Sequence, residues 1–596
     1  MRRRDFCKVL SGAATAFVTS QNWPQSLPAS AKETESSDYA QFCALPESER
    51  SFSIVSRDRI ATEKLDLATW KPNTYDAPQK LPGIPDSWDG VSMKSPIAGL
   101  NGSGPYEASW DSLLQYEAPE WYRDAKFGIW AHWSPQCVPE KGDWYARNMY
   151  LEGSEQYRYH LEHYGHPSEF GYKDLCPQWT LLNWQPDELV DRYKRAGARF
   201  IFALANHHDG FDCWNSKHHP WNSQRIGPRR DVVGTWAKSA RERGLRFGVT
   251  VHQARNWWWF EPSHGADKLG LRAGAPYDGR LSQRHGQDEW WQGYDPQMLY
   301  GPKHPADALP DPSYVRNFYD RTRDLIDQQD PDILYFDNSM FPLGWAGMNI
   351  AAYFYNRSLF NRGGKMDVVA NIKNVPARLV KGVVHDCERG LTSEIMPYAW
   401  QSETCIGNWH YDRSLYEKPG EFGGYLHPRD VIHWLVDTVS KNGTFVLNIP
   451  GRPDGTIDAK EIAVLDKITA WMRVNSEAIY ETRPWKIFGE GPNNVSAGAF
   501  HGDSVASLGA KDVRFTRIKS SRTIYAIILG YPNQETTIQS LGTSSASSPG
   551  RIEKVEVLGA REAPAWRQTA NGLTVTVPRL IEGIPEYGVT LKAYLS

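Results

Sequence analysis

The sequence predicts an α/β protein, a (β/α)8-like barrel followed by an all-β sandwich, and two observations carry this prediction. Over residues 105–481, helix-like segments alternate with short apolar segments that are typical of buried parallel strands. Over residues 482–596, helical periods are absent, and short β-like runs are separated by Ser, Gly, Pro and Asn. A doubly wound sheet is the alternative for the first region, but no Gly-x-Gly-x-x-Gly motif follows a strand there.

The N-terminus resembles an export signal over residues 1–31. The stretch MRRRDFCKVLSGAATAFVTS joins a basic start to a mildly apolar run, and its Arg-Arg-Asp-Phe sequence resembles a twin-arginine signal. Ala29, Ser30 and Ala31 then offer a cleavage site of the A-x-A kind. We therefore expect a periplasmic or secreted product. Residues 32–104 are rich in Ser, Pro, Asp and Gly and are predicted to form an extended N-terminal segment.

In the barrel region, the predicted helices carry start and stop signals. The helix in PDELVDRYKRAG starts near Pro186 and ends near Gly197, and the helix in DVVGTWAKSARERG ends at Gly244. A third helix is predicted in YVRNFYDRTRDLIDQQ. Strands are predicted in ARFIFALANHHDG, LRFGVTVH, DILYF, DVVANI and GVVHD. In the last region, the β-like runs are DVRFTRIKSSRTIYAIILG, TTIQSLG, RIEKVEVLG and LTVTVP, which we interpret as a sandwich.

The composition excludes several classes of protein. The net charge of −3 gives no electrostatic reason to expect nucleic acid or an anionic membrane as a partner, and no stretch of 18 apolar residues predicts a membrane span. The 25 Trp and 29 Tyr fit either an aromatic core or a cleft that stacks sugar rings. No Cys-x-x-Cys pair occurs, so buried free thiols are expected rather than a zinc knuckle.

Titratable residues follow the predicted strands, where a barrel of this type places its chemistry. They are His132, His207, His208, Asp209, His252, Asp337, Asp386 and Glu388. Adjacent residues of a strand point to opposite faces, so His207 and His208 are not expected to share a metal ion. Glycoside cleavage instead needs two carboxyl groups, for which Asp337 and Glu388 are the natural pair. No cofactor is predicted.

Several blocks of the chain, taken in order, resemble the α-L-fucosidase family, glycoside hydrolase family 29. The blocks are WYRDAKFGIWAHWS, GDWYARNMY, HHDGFDCWNSK, PDILYFDN, NGTFVLNIPGRPDGTI and WMRVNSEAIYETRPW. The resemblance runs from about residue 115 to about residue 490. The resemblance implies a barrel enzyme that hydrolyses terminal α-L-fucosyl residues by double displacement. Its partner would be a fucosylated oligosaccharide or polysaccharide.

The resemblance also implies roles for individual residues. Asp337 aligns with the catalytic nucleophile. Residues aligned with the sugar pocket are His132, Asp143, Trp144, His207, His208 and Tyr335. The acid/base is left open among three residues, with Glu388 favoured over Glu403 and then Asp386. We also expect Trp130, Trp133, Trp144 and Trp214 to form an apolar floor for the fucose methyl group.

Two departures from the family pattern fall near this site. Thr250, Val251 and His252 stand where many relatives have Tyr-Tyr-Ser, so His252 is a candidate replacement contact. The run VANIKN lacks the Asn-x-Arg-Trp of many relatives. Three alternatives therefore stay open: a retaining exo-glycosidase of other specificity, a non-catalytic sugar-binding protein and a metal-dependent hydrolase.

Overall fold

The computed structural model describes residues 101–305, 308–373, 375–532, 535–580 and 582–596. The export signal and nearly all of the extended N-terminal segment lie outside these residues, so both remain predictions. Among the described residues, no helix is both long and apolar enough to cross a membrane. All five cysteines in this part of the chain are buried free thiols, as expected.

Eight parallel strands close into a barrel in chain order, which confirms the predicted fold of the first region. Their bounds are β1 Phe127–Ala131, β2 Phe200–Asn206, β3 Arg246–Val251, β4 Ile333–Ser339, β5 Val369–Lys373, β6 Val384–Glu388, β7 Trp400–Cys405 and β8 Gly443–Asn448. Each strand pairs with the next, and β1 closes the barrel on β8. The C-terminal ends of all eight strands therefore surround one opening, here called the mouth.

The larger helices pack around this barrel. They are α1 Pro186–Arg195, α2 Val232–Glu242, α3 Pro312–Gln329, α4 Trp345–Asn361, α5 Pro428–Ser440 and α6 Ala459–Asn475. The alternation is less regular than the sequence predicts. Only a 3-10 turn, Val380–Gly382, lies between β5 and β6 in the described residues, and the link from β6 to β7 contains no helix. The side of the mouth next to Glu388 is therefore built from loops.

Large side chains fill the barrel interior below the mouth. This inner cluster contains Tyr122, Ala125, Trp130, Phe200, Phe202, Ile333, Tyr335, Val369, Val384 and Val446. Its members alternate along the strands, as in Ile333 and Tyr335 of β4, because successive side chains of a strand point to opposite faces. The next inward position of β4 is Asp337. A packed interior thus gives the mouth a rigid floor.

The antiparallel strands begin at Thr482 and form two sheets. Their bounds are β9 Thr482–Glu490, β10 Val513–Ile518, β11 Thr523–Ile528, β12 Thr536–Ile538, β13 Ile552–Val557, β14 Ala565–Thr569, β15 Gly572–Thr576 and β16 Val589–Leu595. The five-stranded sheet has the order β13, β16, β11, β10, β9, and the three-stranded sheet has the order β12, β15, β14. One apolar cluster, with Phe515 and Leu591 from the first sheet and Leu573 and Val575 from the second, joins the two sheets as a sandwich.

The sandwich packs against α5 and α6 of the barrel. Arg514 of β10 donates from Nε to Oδ1 of Asp437 at 2.6 Å, and both side chains are buried. Trp471 donates to the carbonyl oxygen of Gly588 at 3.0 Å. A buried charge pair across this boundary makes the two domains mutually dependent, since separation would leave a charge unpaired.

Candidate active site

Asp337 lies at an irregularity in the barrel. Between Phe336 and Ser339 the register of β4 against β5 shifts, so the ladder is interrupted at Asp337 and Asn338. Such irregularities redirect side chains and are common beside active sites. Asp337 is 8% exposed and lies at the mouth, above the packed interior. The pairing of β4 with β5 is therefore interrupted at a carboxylate that is nearly buried but lies at the opening.

Three cationic or polar groups surround the Asp337 carboxylate. Lys373 Nζ contacts Oδ1, and Oδ2 lies 3.2 Å from His208 Nε2 and 3.1 Å from His252 Nδ1. Burial alone would raise the pKa of Asp337, but Lys373 and the two imidazoles outweigh it and hold the pKa well below the usual range. Because burial lowers the pKa of His252 to about 4, its ring is neutral at neutral pH, and Lys373 provides the lasting positive charge.

Lys373 joins Asp337 to a second carboxyl group. Its Nζ lies 2.6 Å from Glu388 Oε2 and 3.6 Å from Glu403 Oε1. Burial alone would lower the pKa of Lys373, but Asp337 and then the carboxylates of β6 and β7 raise it above the ordinary value. Lys373 is therefore a permanent cation between Asp337 and Glu388.

Glu403 and Asp386 form a buried layer below Glu388. Tyr335 donates its hydroxyl to Glu403 Oε1 at 2.8 Å, and Gln401 donates to Asp386 Oδ1 at 2.7 Å. Burial, followed by the Asp386 charge, raises the pKa of Glu403 well above its ordinary value, and burial raises the pKa of Asp386 to about 7. Glu388 differs in access, since its side chain is 21% exposed and that of Glu403 is 1% exposed.

His207 and His208 both belong to the mouth, and the prediction that they point to opposite faces is wrong. Strand β2 ends at Asn206, so both histidines lie in the following loop, where strand alternation does not apply. Their ring centres are 4.2 Å apart. His207 Nδ1 accepts from Gln136 Nε2 at 2.7 Å, which leaves its Nε2 as the protonated nitrogen. His208 Nδ1 donates to the carbonyl oxygen of His252 at 2.8 Å.

His132 and His252 present unpaired nitrogens to the same space. All four of their ring nitrogens are buried and without a hydrogen-bond partner. His252 Nδ1 thus lies close to Asp337 Oδ2, but the two atoms do not have hydrogen-bond geometry. Burial, reinforced by the neighbouring imidazoles, lowers the pKa of His132 well below the usual value. Buried polar atoms that lack partners in the protein are suited to the hydroxyl groups of a ligand.

Asp143 is tied to the mouth through His410. His410 donates from Nδ1 to Asp143 Oδ1 at 2.7 Å, and its Nε2 lies 2.9 Å from Ser134 Oγ, which therefore donates to it. The ring centres of His410 and His132 are 4.7 Å apart. Trp144 lies at the outer edge, where its ring centre is 6.4 Å from that of His208.

The expected tryptophan floor is only partly correct. Trp130 packs inside the barrel against Tyr335, with ring centres 5.3 Å apart. Trp133 instead packs on the outer face against Trp179, Trp184 and Trp236. Trp130 belongs to β1 and points inward, whereas Trp133 follows the end of β1 at Ala131, and the loop turns its ring to the outer face. Trp214 is fully buried and directs its indole N–H to Asp324 at 3.3 Å, so it supports helix α3.

Comparison with known proteins agrees with this arrangement. A family model described as Alpha-L-fucosidase matches residues 96–477, and a second, described as Alpha-L-fucosidase C-terminal domain, matches residues 508–593. The chain belongs to the α-L-fucosidase family. It is therefore a glycoside hydrolase, and the resemblance seen in its sequence motifs is confirmed.

Two curated family members are similar along most of the chain. Tissue alpha-L-fucosidase of Rattus norvegicus is 27% identical over 491 residues, which cover 80% of this chain and 90% of that protein. The corresponding protein of Homo sapiens is 27% identical over 500 residues, covering 82% and 91%.

Solved structures of a bacterial fucosidase show the same fold. The Thermotoga maritima alpha-fucosidase in complex with a mechanism based inhibitor is 25% identical, with a TM-score of 0.60 over 82% of this chain and 100% of that one. Its complex with fucose gives a TM-score of 0.59 at 25% identity, with the same coverage.

The active site of the present chain also contains residues that the sequence analysis does not identify. Lys373 ends a buried strand, which is the same signal that indicates Asp337. The sequence of its segment, VANIKN, otherwise shows only the lack of the Asn-x-Arg-Trp motif. His410 and Trp409 follow β7 in an irregular loop, and no periodic pattern marks them. The Trp409 ring centre lies 5.3 Å from that of Trp130 and 5.6 Å from that of His132, so it adds an aromatic wall.

Two groups of side chains in this fucosidase have the spacing of metal ligands among the described residues. They are His207, His208 and His252, and His132, Asp143 and His207, with candidate ligand atoms within 4.8 Å of one another in each group. In these groups His208 Nδ1 donates to a carbonyl oxygen, which leaves its Nε2 for a ligand, and Asp143 Oδ1 accepts from His410. The absence of a metal therefore stays a prediction for experiment.

Proposed function

We propose that this α-L-fucosidase removes terminal α-L-fucosyl residues from glycans with retention of configuration, using Asp337 as nucleophile and Glu388 as acid/base. The observation that carries the proposal is the shared contact of both carboxylates with Lys373 Nζ. Two hydrogen bonds of about 3 Å to one nitrogen keep the contacting oxygens within about 6 Å of each other. Retaining glycosidases separate their carboxyl groups by about 5–5.5 Å, and inverting enzymes by about 6.5–9.5 Å.

Asp337 is suited to attack because it is held ionised and fixed in position. In the first step its carboxylate oxygen forms a bond to the anomeric carbon, and Glu388 gives its proton to the departing oxygen. In the second step Glu388 takes a proton from water, which displaces Asp337 and releases fucose. Glu388 is preferred to Glu403 because it reaches the opening, whereas Glu403 is bound from below by Tyr335.

Lys373 supports both steps by keeping the local charge constant. Before attack, Asp337 is anionic and Glu388 carries the proton. After attack, Asp337 is a neutral ester and Glu388 is anionic. The ammonium lies beside both groups, so its stabilisation passes from Asp337 to Glu388 without a rearrangement of the fold. The neutral imidazoles of His132, His207 and His252 would bind the sugar hydroxyls, since such rings can donate and accept.

The stereochemical outcome tests this proposal. Hydrolysis of 4-nitrophenyl α-L-fucoside, followed by proton NMR, should show α-L-fucose as the first-formed anomer. Matched nitrophenyl glycosides of other sugars should be poor substrates. First-formed β-L-fucose would exclude the double displacement, and a preference for another glycoside would favour a related retaining exo-glycosidase.

A further inference from the structure

The segment 498–502, which precedes β10 of the sandwich domain, is bound to the loop that follows Glu388. Three backbone hydrogen bonds join them, from the N–H groups of Gly498, Phe500 and Gly502 to the carbonyl oxygens of Leu391, Glu388 and Arg389, at 2.8, 2.9 and 2.9 Å. The sandwich side of the chain therefore contributes backbone directly to the rim of the mouth, at the residue proposed as acid/base.

Two glycines allow this close approach. A Cβ atom on Gly390 would lie 2.3 Å from the carbonyl oxygen of Gly498, and one on Gly502 would lie 1.8 Å from the ring of Trp434. Trp434 donates to Ser402 Oγ at 2.8 Å, and Ser402 donates to the carbonyl oxygen of Gly390 at 2.6 Å. The segment is thus fixed at both ends to elements that position the active site.

Phe500 is unusual at this place in two respects. Its side chain is 49% exposed, and it is one of seven large apolar side chains that are exposed in the described part of the chain. Its backbone has φ of 62°, the left-handed region that bulky residues avoid. A strained backbone that holds an exposed ring at an active-site rim is a reason to look for function. Trp144, also at the mouth, has a similar backbone with φ of 61°, but its side chain is half-buried.

We infer that Phe500 is the stacking surface for the leaving group, the sugar ring to which the fucosyl residue is attached. The inference rests on the proposed function, because Glu388 must contact the glycosidic oxygen and the leaving group must therefore pass over its loop. The face of a pyranose ring that carries C–H bonds packs on aromatic rings. Phe500 offers no hydrogen bond, so it favours a ring by shape and apolar contact, not by one particular hydroxyl.

The variant Phe500→Gly tests this role without disturbing the fold. Glycine adopts a positive φ readily, so the segment should keep its conformation, and the melting temperature should not fall. Two substrates are compared. A fucosylated disaccharide has a pyranose leaving group, whereas α-L-fucosyl fluoride has the same fucosyl residue and a leaving group too small to reach the ring.

For Phe500→Gly, kcat/KM should fall about tenfold on the disaccharide, which corresponds to the loss of one aromatic contact, and should stay within about twofold on the fluoride. Phe360→Ala is the matched control, because Phe360 is 84% exposed on helix α4 and should change neither value. An equal fall of kcat/KM on both substrates would mean that Phe500 only supports the Glu388 loop. An unchanged kcat/KM on both would mean that Phe500 has no role in binding the leaving group. Both results overturn the inference alone. A wild-type protein that hydrolyses neither substrate would overturn the proposed function as well.

Discussion

Lys373 is the residue on which the electrostatics of the mouth depend. It is a buried cation in contact with the proposed nucleophile and the proposed acid/base. Without it, the Asp337 carboxylate would be nearly buried without its main cation, and its pKa would rise. The carboxyl group that must stay ionised is Asp337.

Removing this charge should change the pH dependence of the enzyme. Asp337 must be ionised to attack, and Lys373 lowers its pKa, so activity is retained as pH falls until that lowered pKa is reached. In Lys373→Met the pKa of Asp337 rises, and the acid limb of the kcat/KM profile should therefore move to higher pH. The rate at the optimum should fall about 100-fold, as for loss of one stabilising donor.

The conservative variant Lys373→Arg provides the control for this experiment. It retains a positive charge, so its acid limb should stay near that of the wild type even if the fit costs some activity. A Lys373→Met profile with an unshifted acid limb would show that Lys373 does not set the ionisation of Asp337.

Glu388 and Glu403 should respond differently to replacement by alanine. With a good leaving group, Asp337 still attacks in Glu388→Ala. Hydrolysis of the glycosyl-enzyme lacks its base and slows, so the intermediate accumulates. The apparent KM therefore falls, and kcat drops by about 10²–10⁴-fold. Azide needs no base and should restore turnover as fucosyl azide. Glu403→Ala, which breaks the contact with Tyr335, should lose activity without rescue. Azide rescue of Glu403→Ala or of Asp386→Ala would assign the acid/base elsewhere.

At the scale of single residues, the sequence predicts those parts of the site that end apolar strands. Asp337, Glu388 and His132 follow this rule, and the structure brings them to one mouth. Lys373 follows it too, but a lysine is usually interpreted as a solvated end of a strand. His410 enters the site because of the conformation of the loop after β7, and no local sequence pattern predicts that conformation.

At the scale of elements, strand periodicity is reliable within the strands and fails just beyond them. Periodicity within β6 places Asp386 and Glu388, which are two residues apart, on the same side of that strand. Strand periodicity gives the wrong answer for His207 and His208, because β2 ends one residue earlier and the loop turns both rings into the mouth. The rule of alternating strands and helices also fails between β6 and β7, where it predicts a helix and the structure has a loop.

The loop histidines lead to a prediction about metal ions. Their nitrogens have the spacing of ligands, but the Lys373 cation lies in the same mouth and would repel a second positive charge. We therefore expect dialysis against EDTA to leave kcat unchanged. Activity that disappears on dialysis and returns with Zn²⁺ would support a metal-dependent hydrolase instead.

At the scale of the whole molecule, the barrel and the sandwich should behave as one unit. Arg514→Leu leaves the buried Asp437 with Lys441 as its only close cation among the described residues, so the variant should lose about 3 kcal/mol of stability and melt several degrees lower. The control is Arg473→Leu, whose pair with Glu582 is exposed and contributes at most about 1 kcal/mol. Equal melting temperatures for the two variants would contradict a coupled interface.

Double displacement requires that Asp337 forms a covalent bond to the fucosyl residue. It can be tested by incubating the whole protein with 2-deoxy-2-fluoro-α-L-fucosyl fluoride, which slows hydrolysis of the intermediate, and then mapping its peptides by mass spectrometry. We expect a single fluorofucosyl group on Asp337 of the peptide that contains β4. A modified residue other than Asp337, or full turnover of fucosides with no trapped protein, would contradict it.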